Sequence, residues 1–362
     1  MVEKEKQERL TSIDLMKFIA MFLVISYHCT NYPYDILDGR KTTYIVYLFR
    51  TLVSLGVPIF FFVNGYLLFQ KEFVLKKHIK KVIQLMLLTE IWNFITLTFY
   101  VFLEREQLSI REFILYLFEG RGGCTHHLWF MGALICVYIF YPLLKLAYDN
   151  NKKVFLYFCV VSFLLTIGNV LINQMGTIAN FVLRDGSGWL NVNWFKGYNP
   201  LRNIRGYAFV YFCGGGVMNI ILPKIKEIPV CKRNVISICG LVISCLFLWV
   251  IGILNTNIAQ SSWDVVWYGY ESIFTLVNVI FVFILCLNWK KDLGLIRGIA
   301  TNTLGIYFVH ENIRFVLGRL VDNYAWLNTF PMHILYTMVV LMISYFLTII
   351  ISKVPLVRRL VK

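Results

Sequence analysis

His28, Lys17 and Asp14 are the first residues in this chain whose types and spacing suit chemistry. Lys17 and His28 are eleven positions apart. In a helix, at about 100° per residue, eleven steps return to within roughly 20° of the start, and the two side chains stand about 16 Å apart along the axis. Asp14 falls one turn before Lys17 on nearly the same face. The stretch that holds them, from Arg9-Leu-Thr-Ser-Ile-Asp14 through Lys17 to Ser-Tyr-His28, is apolar enough to cross a bilayer. Ionisable groups inside such a segment are expensive and mark function. A histidine can move a proton near neutral pH. A cation beside it suits a phosphate-bearing ligand.

Other groups of the same kind recur. His126 and His127 open one apolar run. His310 and Glu311 lie about eleven residues into another. Asn64-Gly65-Tyr66 lies late in a third, just before the basic cluster Lys76, Lys77, Lys80 and Lys81. Each has a plainer reading. His126 suits an interfacial amphipath, Asp14 and Lys17 a structural ion pair, Asn64-Gly65 a close helix crossing, and the lysines a flank of positive charge.

The elements that must position these groups are membrane spans. The chain has 362 residues, 58% hydrophobic and only 15% charged, which points to an all-α polytopic membrane protein. Ten apolar runs can span a core about 30 Å thick: 12–31, 44–69, 79–103, 127–147, 153–173, 203–222, 234–254, 264–288, 299–320 and 332–353. The first run is long, follows a start of mixed charge and lacks a small-residue cleavage site, so it reads as a retained span. With no repeat and no linker, 1–362 reads as one domain. The net charge of +15 collects in short loops, as the positive-inside rule requires, and does not suggest nucleic acid. Loops on the amino-terminal side carry about twice the Lys and Arg of the opposite loops, which places both termini in the cytoplasm. The nine cysteines show no metal-ligand spacing, so no metal is expected. Cys29 and Cys124 both fall near the outer face and are the one pair placed to form a disulfide.

That topology separates two polar zones. His28, His127, His310 and Glu311 fall toward the outside, where they suit proton transfer. Arg9, Asp14, Lys17, Tyr66, Lys77 and Lys80 fall toward the inside, where cations can hold a polyanion. Two outer stretches stand out as well. Residues 104–126 contain Ile110-Arg-Glu-Phe-Ile-Leu-Tyr-Leu-Phe118, the pattern of an interfacial helix. Residues 174–202, with Asp185-Gly-Ser-Gly-Trp-Leu-Asn-Val-Asn-Trp194, suit either sugar stacking or a tryptophan belt.

At these residues the chain resembles the membrane-bound acyltransferase 3 family, over essentially its whole length. Lys17 through His28 is similar to the family's Arg/Lys-x10-His motif. Gly56-Val-Pro-Ile-Phe-Phe-Phe-Val-Asn-Gly-Tyr-Leu-Leu68 resembles the second-span motif, with Asn64 in place of the usual Ser. His127-Leu-Trp-Phe-Met131 and Leu304-Gly-Ile-Tyr-Phe-Val-His-Glu311 resemble two later motifs. Lys at position 17, where Arg is commoner, removes a bidentate phosphate clamp.

The resemblance implies transfer of an acyl group, usually acetyl from cytoplasmic acetyl-CoA, to a hydroxyl of a cell-surface or lipid-linked glycan. An exopolysaccharide at a bacterial cell surface is one such acceptor, and the plasma membrane is the expected location. It further implies His28 as general base or acyl carrier, with His127, His310 or Asn64 stabilising the developing oxyanion or orienting the base, and Glu311 or Asp14 as an orienting group. The other reading of two polar zones is a proton-coupled transporter or exporter of polysaccharide or a small polar solute, against which the lack of an inverted repeat counts.

Overall fold

The computed structural model describes residues 2–29, 34–119, 124–183, 192–321, 324 and 328–361, with the backbone alone at 2–10 and 118–119. The described residues form helices and no strand. In chain order these are α1 (Val2–His28), α2 (Lys41–Val53), α3 (Gly56–Leu68), α4 (Leu75–Glu104), α5 (Ile110–Glu119), α6 (Trp129–Asn150) and α7 (Lys152–Phe163). There follow α8 (Asn169–Leu183), α9 (Tyr207–Glu227), α10 (Val230–Ala259), α11 (Ile273–Cys286), α12 (Gly294–Thr301), α13 (Thr303–Val321) and α14 (Phe330–Lys353). An α-helix satisfies its own backbone hydrogen bonds, which a lipid-facing segment has no other way to do. Among the described residues, eight helical stretches are long and apolar enough to cross a membrane. The chain is an all-α polytopic membrane protein.

Each of the ten expected runs contains α-helix, but not all form simple spans. The run 44–69 divides into α2 and α3 at Ser54-Leu55, where the Ser54 hydroxyl donates to the Thr51 carbonyl at 2.7 Å. Pro58 lies in the first turn of α3, where a missing N–H costs little. The run 153–173 extends to Leu183 through a π turn at Leu164–Gly168. Such a turn loosens the backbone hydrogen-bond ladder, and Asn199 Nδ2 donates to the Leu165 carbonyl at 3.0 Å. The run 264–288 is α-helical only over the 14 residues of α11, after a tight turn at Tyr268–Glu271. The run 299–320 breaks at Asn302 between α12 and α13, and α13 carries Glu311, Arg314 and Arg319.

α1 is the central helix. It packs against α2, α3, α11, α12, α13 and α14. Beside it, α3 and α9 cross backbone to backbone. A Cβ on Gly65 would lie 1.8 Å from the Phe212 carbonyl oxygen, and one on Gly215 would lie 2.2 Å from that of Phe62. Lipid is as apolar as a leucine side chain, so close approach of this kind is what holds helices together in a bilayer. Gly65 is thus a packing residue. α5 is the helix expected within 104–126, with Ile110, Ile114 and Leu115 exposed. All nine cysteines are free, and the pairing considered for Cys29 and Cys124 is not made.

Candidate active site

α1 ends at His28, and α13 crosses that end with Tyr307, His310, Glu311 and Arg314 on one face, spaced three and four residues apart. His28 Nδ1 stands 2.9 Å from Glu311 Oε1. The other carboxylate oxygen, Oε2, accepts a hydrogen bond from Arg314 Nε at 2.8 Å. His310 turns back on its own helix, where Nδ1 donates to the Tyr307 carbonyl at 2.5 Å. Its Nε2 lies 3.8 Å from Glu311 Oε1 and, among the described residues, is buried without a hydrogen-bond partner. His127 comes from the turn His126–Leu128 at the head of α6. The Tyr307 hydroxyl donates to the His127 backbone carbonyl and fixes that turn to α13.

The three imidazoles form a triangle. Ring centroids are 5.3 Å apart for His28–His310, 5.5 Å for His127–His310 and 6.3 Å for His28–His127. Only one of them is open to a reactant: the His28 side chain is 20% exposed, whereas His127 and His310 are buried. The residue before His28 anchors the end of α1. The Tyr27 hydroxyl donates to Asp264 Oδ2 at 2.8 Å, and Arg50 donates to Asp264 Oδ1 at 2.9 Å. One carboxylate thereby ties α1, α2 and the approach to α11.

Two cavities flank this cluster. Toward the Lys17 end lies a cavity of about 180 Å³ lined by Lys17, Lys81, Asn64, Tyr138, Phe130 and Tyr307. Phe130 and Tyr307 also wall the small pocket that contains His28 and His127, and their rings pack edge to face at 5.4 Å. The Lys17 cavity therefore stops at an aromatic partition one residue thick. Another wall of the histidine pocket is Trp129. Trp129 packs against Trp267 at 5.1 Å, and Trp267 lines a larger cavity of about 490 Å³.

The residues singled out from the sequence divide between these places. His28, His127, His310 and Glu311 meet. Asn64 does not wall the histidine pocket. It lines the Lys17 cavity, where Nδ2 donates to the Phe60 carbonyl at 2.8 Å and Oδ1 accepts from the Tyr138 hydroxyl at 3.0 Å. Lys17 lines the same cavity, while Asp14, half-buried, does not and makes no ion pair within 4 Å among the described residues. Lys77 and Lys80 are exposed on the first turns of α4, and it is Lys81 that reaches the cavity. Tyr66 is fully buried, its ring 4.9 Å from Phe283, as a core residue between α3 and α11. The Arg9 side chain and the segment 184–191, with Trp189, lie outside the described residues. Arg314 and Tyr307 are site residues that sequence reasoning missed, and Lys81 enters it only as one member of the basic cluster. The i,i+3 spacing of Glu311 and Arg314 was the available signal for the first. No sequence signal separates Lys81 from its neighbours.

The chain matches, over residues 10–353, the profile of a family described as an acyltransferase domain. No curated protein and no solved structure matches it.

Proposed function

We propose, on the premise that the chain belongs to the acyltransferase 3 family matched over residues 10–353, that it moves an acetyl group from acetyl-CoA to a hydroxyl of a cell-surface or lipid-linked glycan. The enzyme is a multi-pass protein of the plasma membrane, with donor and termini on the cytoplasmic side and acceptor outside. The observation that supports this reading is the placement of His28. It is the one accessible imidazole of its cluster, paired with a buried carboxylate, with a cation-lined cavity to one side and an aromatic, amide-lined one to the other.

A carboxylate only accepts hydrogen bonds, so in neutral His28 the proton resides on Nδ1, facing Glu311, and the lone pair on Nε2. Nε2 takes the proton of the acceptor hydroxyl as that oxygen attacks the thioester carbonyl. The imidazolium that forms lies beside Glu311. When the tetrahedral intermediate collapses, its C–S bond breaks and the thiolate takes the proton back from Nε2, leaving CoA thiol and ester. His127, a donor through one ring nitrogen in either tautomer, faces the developing oxyanion. Lys17 and Lys81 receive the anionic part of CoA. The pantetheine arm passes Asn64 and displaces the Phe130–Tyr307 partition.

The test is His28→Ala in purified, reconstituted protein with labelled acetyl-CoA. Transfer to glycan is lost while folding and acetyl-CoA affinity persist. Retained transfer overturns the assignment.

A further inference from the structure

The cavity at the His28 end has a volume of about 490 Å³, which lies in the range of small-molecule sites. Its aromatic wall comes from the segment before α11. Trp263 and Tyr268 stack at 5.4 Å with 21° between their planes, and both line the cavity with Trp267 and Tyr207. Stacked on each other, the two rings hold one another in place and form part of an aromatic wall.

Its polar groups are placed with unusual care. The Arg205 guanidinium lies against two indoles, 4.8 Å from the Trp267 ring centroid and 5.0 Å from that of Trp129. Cation–π contact of this kind holds the charge in place while its N–H edges stay available. The Arg205 backbone has φ 55°, a left-handed conformation that costs an ordinary residue about 1–2 kcal/mol. The other non-glycine residues of positive φ, Arg105 and Gln260, cap the carboxyl ends of α4 and α10, where that conformation is common. Arg205 instead precedes a helix, so capping does not account for its conformation, and strain of this kind clusters at ligand sites.

Glu271 also lines the cavity. Among the described residues, neither Arg205 nor Glu271 makes an ion pair within 4 Å or a side-chain hydrogen bond. The Tyr207 hydroxyl is a third such group. The residue is 2% exposed and, among the described residues, its oxygen has no hydrogen-bond partner. A buried hydroxyl without a partner costs about 1–3 kcal/mol, which a bound ligand can relieve.

We infer that this cavity is the seat of a neutral saccharide, which packs a ring face against the aromatic wall of Trp263, Trp267 and Tyr268 and hydrogen-bonds through its hydroxyls to Arg205, Glu271 and Tyr207. Sugar hydroxyls donate and accept, so one ring can serve a guanidinium, a carboxylate and a phenol together. The two opposite charges cancel. An anionic sugar would meet Glu271 and a cationic one Arg205, so an uncharged ring is the ligand without a repulsive partner. Trp129 touches both this cavity's wall and the histidine pocket, so a hydroxyl of the seated ring needs to pass one side chain to reach His28. The inference rests on the reading of the protein as a glycan acyltransferase and specifies where and how that acceptor is selected.

The full-length protein in nanodiscs is titrated, by saturation-transfer NMR, with the methyl glycosides of cellobiose, maltose and lactose and with the corresponding glucuronide-ended disaccharides. At least one neutral disaccharide binds, its uronide binds at least tenfold more weakly, and R205Q and E271Q each weaken neutral binding at least tenfold. Asn255→Ala, at the cavity wall, weakens it to a smaller degree and serves if either charge variant fails to fold. Acetyl-CoA affinity stays unchanged in all three. The inference is overturned if no neutral disaccharide binds, if uronides bind as well or better, or if the folded variants bind like the parent. Any of these results with acetyl-CoA still consumed rejects the saccharide seat alone; loss of acetyl-CoA consumption by the parent protein rejects the acyltransferase reading itself.

Discussion

Glu311→Gln tests the chemistry most directly, because it changes one charge and almost no volume. In the parent protein Glu311 Oε1 stands 2.9 Å from His28 Nδ1, and Oε2 accepts from Arg314 at 2.8 Å. Two losses follow. The first is electrostatic. In the proposed mechanism an imidazolium forms on His28 during transfer, and a unit charge about 4 Å away at an effective dielectric of about 20 stabilises it by about 4 kcal/mol. At about 1.4 kcal/mol per factor of ten, that is a rate loss of about a thousandfold. The second is tautomeric. An amide nitrogen turned toward Nδ1 donates to it and moves the imidazole proton to Nε2, which removes the base. The assay is thiol release from acetyl-CoA and label transfer to glycan in proteoliposomes, with acetyl-CoA affinity and thermal midpoint as controls. The expected result is a fall in kcat of at least a hundredfold with donor affinity within threefold. A variant that keeps a third or more of parental kcat refutes the assignment of Glu311 as the group that positions and stabilises His28.

Four further outcomes are expected. Gly65→Ala puts a methyl group 1.8 Å from the Phe212 carbonyl oxygen, so α3 and α9 must separate. The thermal midpoint of the detergent-solubilised protein falls by many degrees, a loss of about 3 kcal/mol or more. Gly214→Ala, next to Gly215 on the same helix, meets only the Phe62 ring, at 3.7 and 3.9 Å, ordinary contact, and shifts that midpoint little. Lys81→Ala and Lys17→Ala raise KM for acetyl-CoA about tenfold each, whereas the exposed Lys77→Ala and Lys80→Ala leave it within twofold, as read from initial rates at varied donor. Phe130→Ala opens the partition between the Lys17 cavity and the histidine pocket, and the ratio of acetyl-CoA hydrolysis to glycan transfer rises.

The sequence by itself determined the helices and one face of the site. Apolar runs of 20 or so residues must be helical in a bilayer, because no other local structure satisfies their backbone there. The period of a single helix then fixes Lys17 and His28 on one side of α1 and brings His310, Glu311 and Arg314 together on α13. Family motifs added His127, which no periodicity links to α1. What the tertiary structure decided is how each helix is turned about its own axis against its neighbours. Within α4 the sequence offers Lys76, Lys77, Lys80 and Lys81 alike, and rotation selects Lys81 for the cavity. Rotation of α3 and α1 likewise sends Asn64 to the Lys17 side, buries Tyr66 against Phe283, and leaves Asp14 outside the Lys17 cavity while Glu311 meets His28. The larger cavity's aromatic wall falls at Trp263, Trp267 and Tyr268 in the segment before α11. Hydropathy cannot encode these rotations. They are set by contacts between helices, such as the crossing of Gly65 and Gly215, where two backbones approach because neither has a side chain to hold them apart.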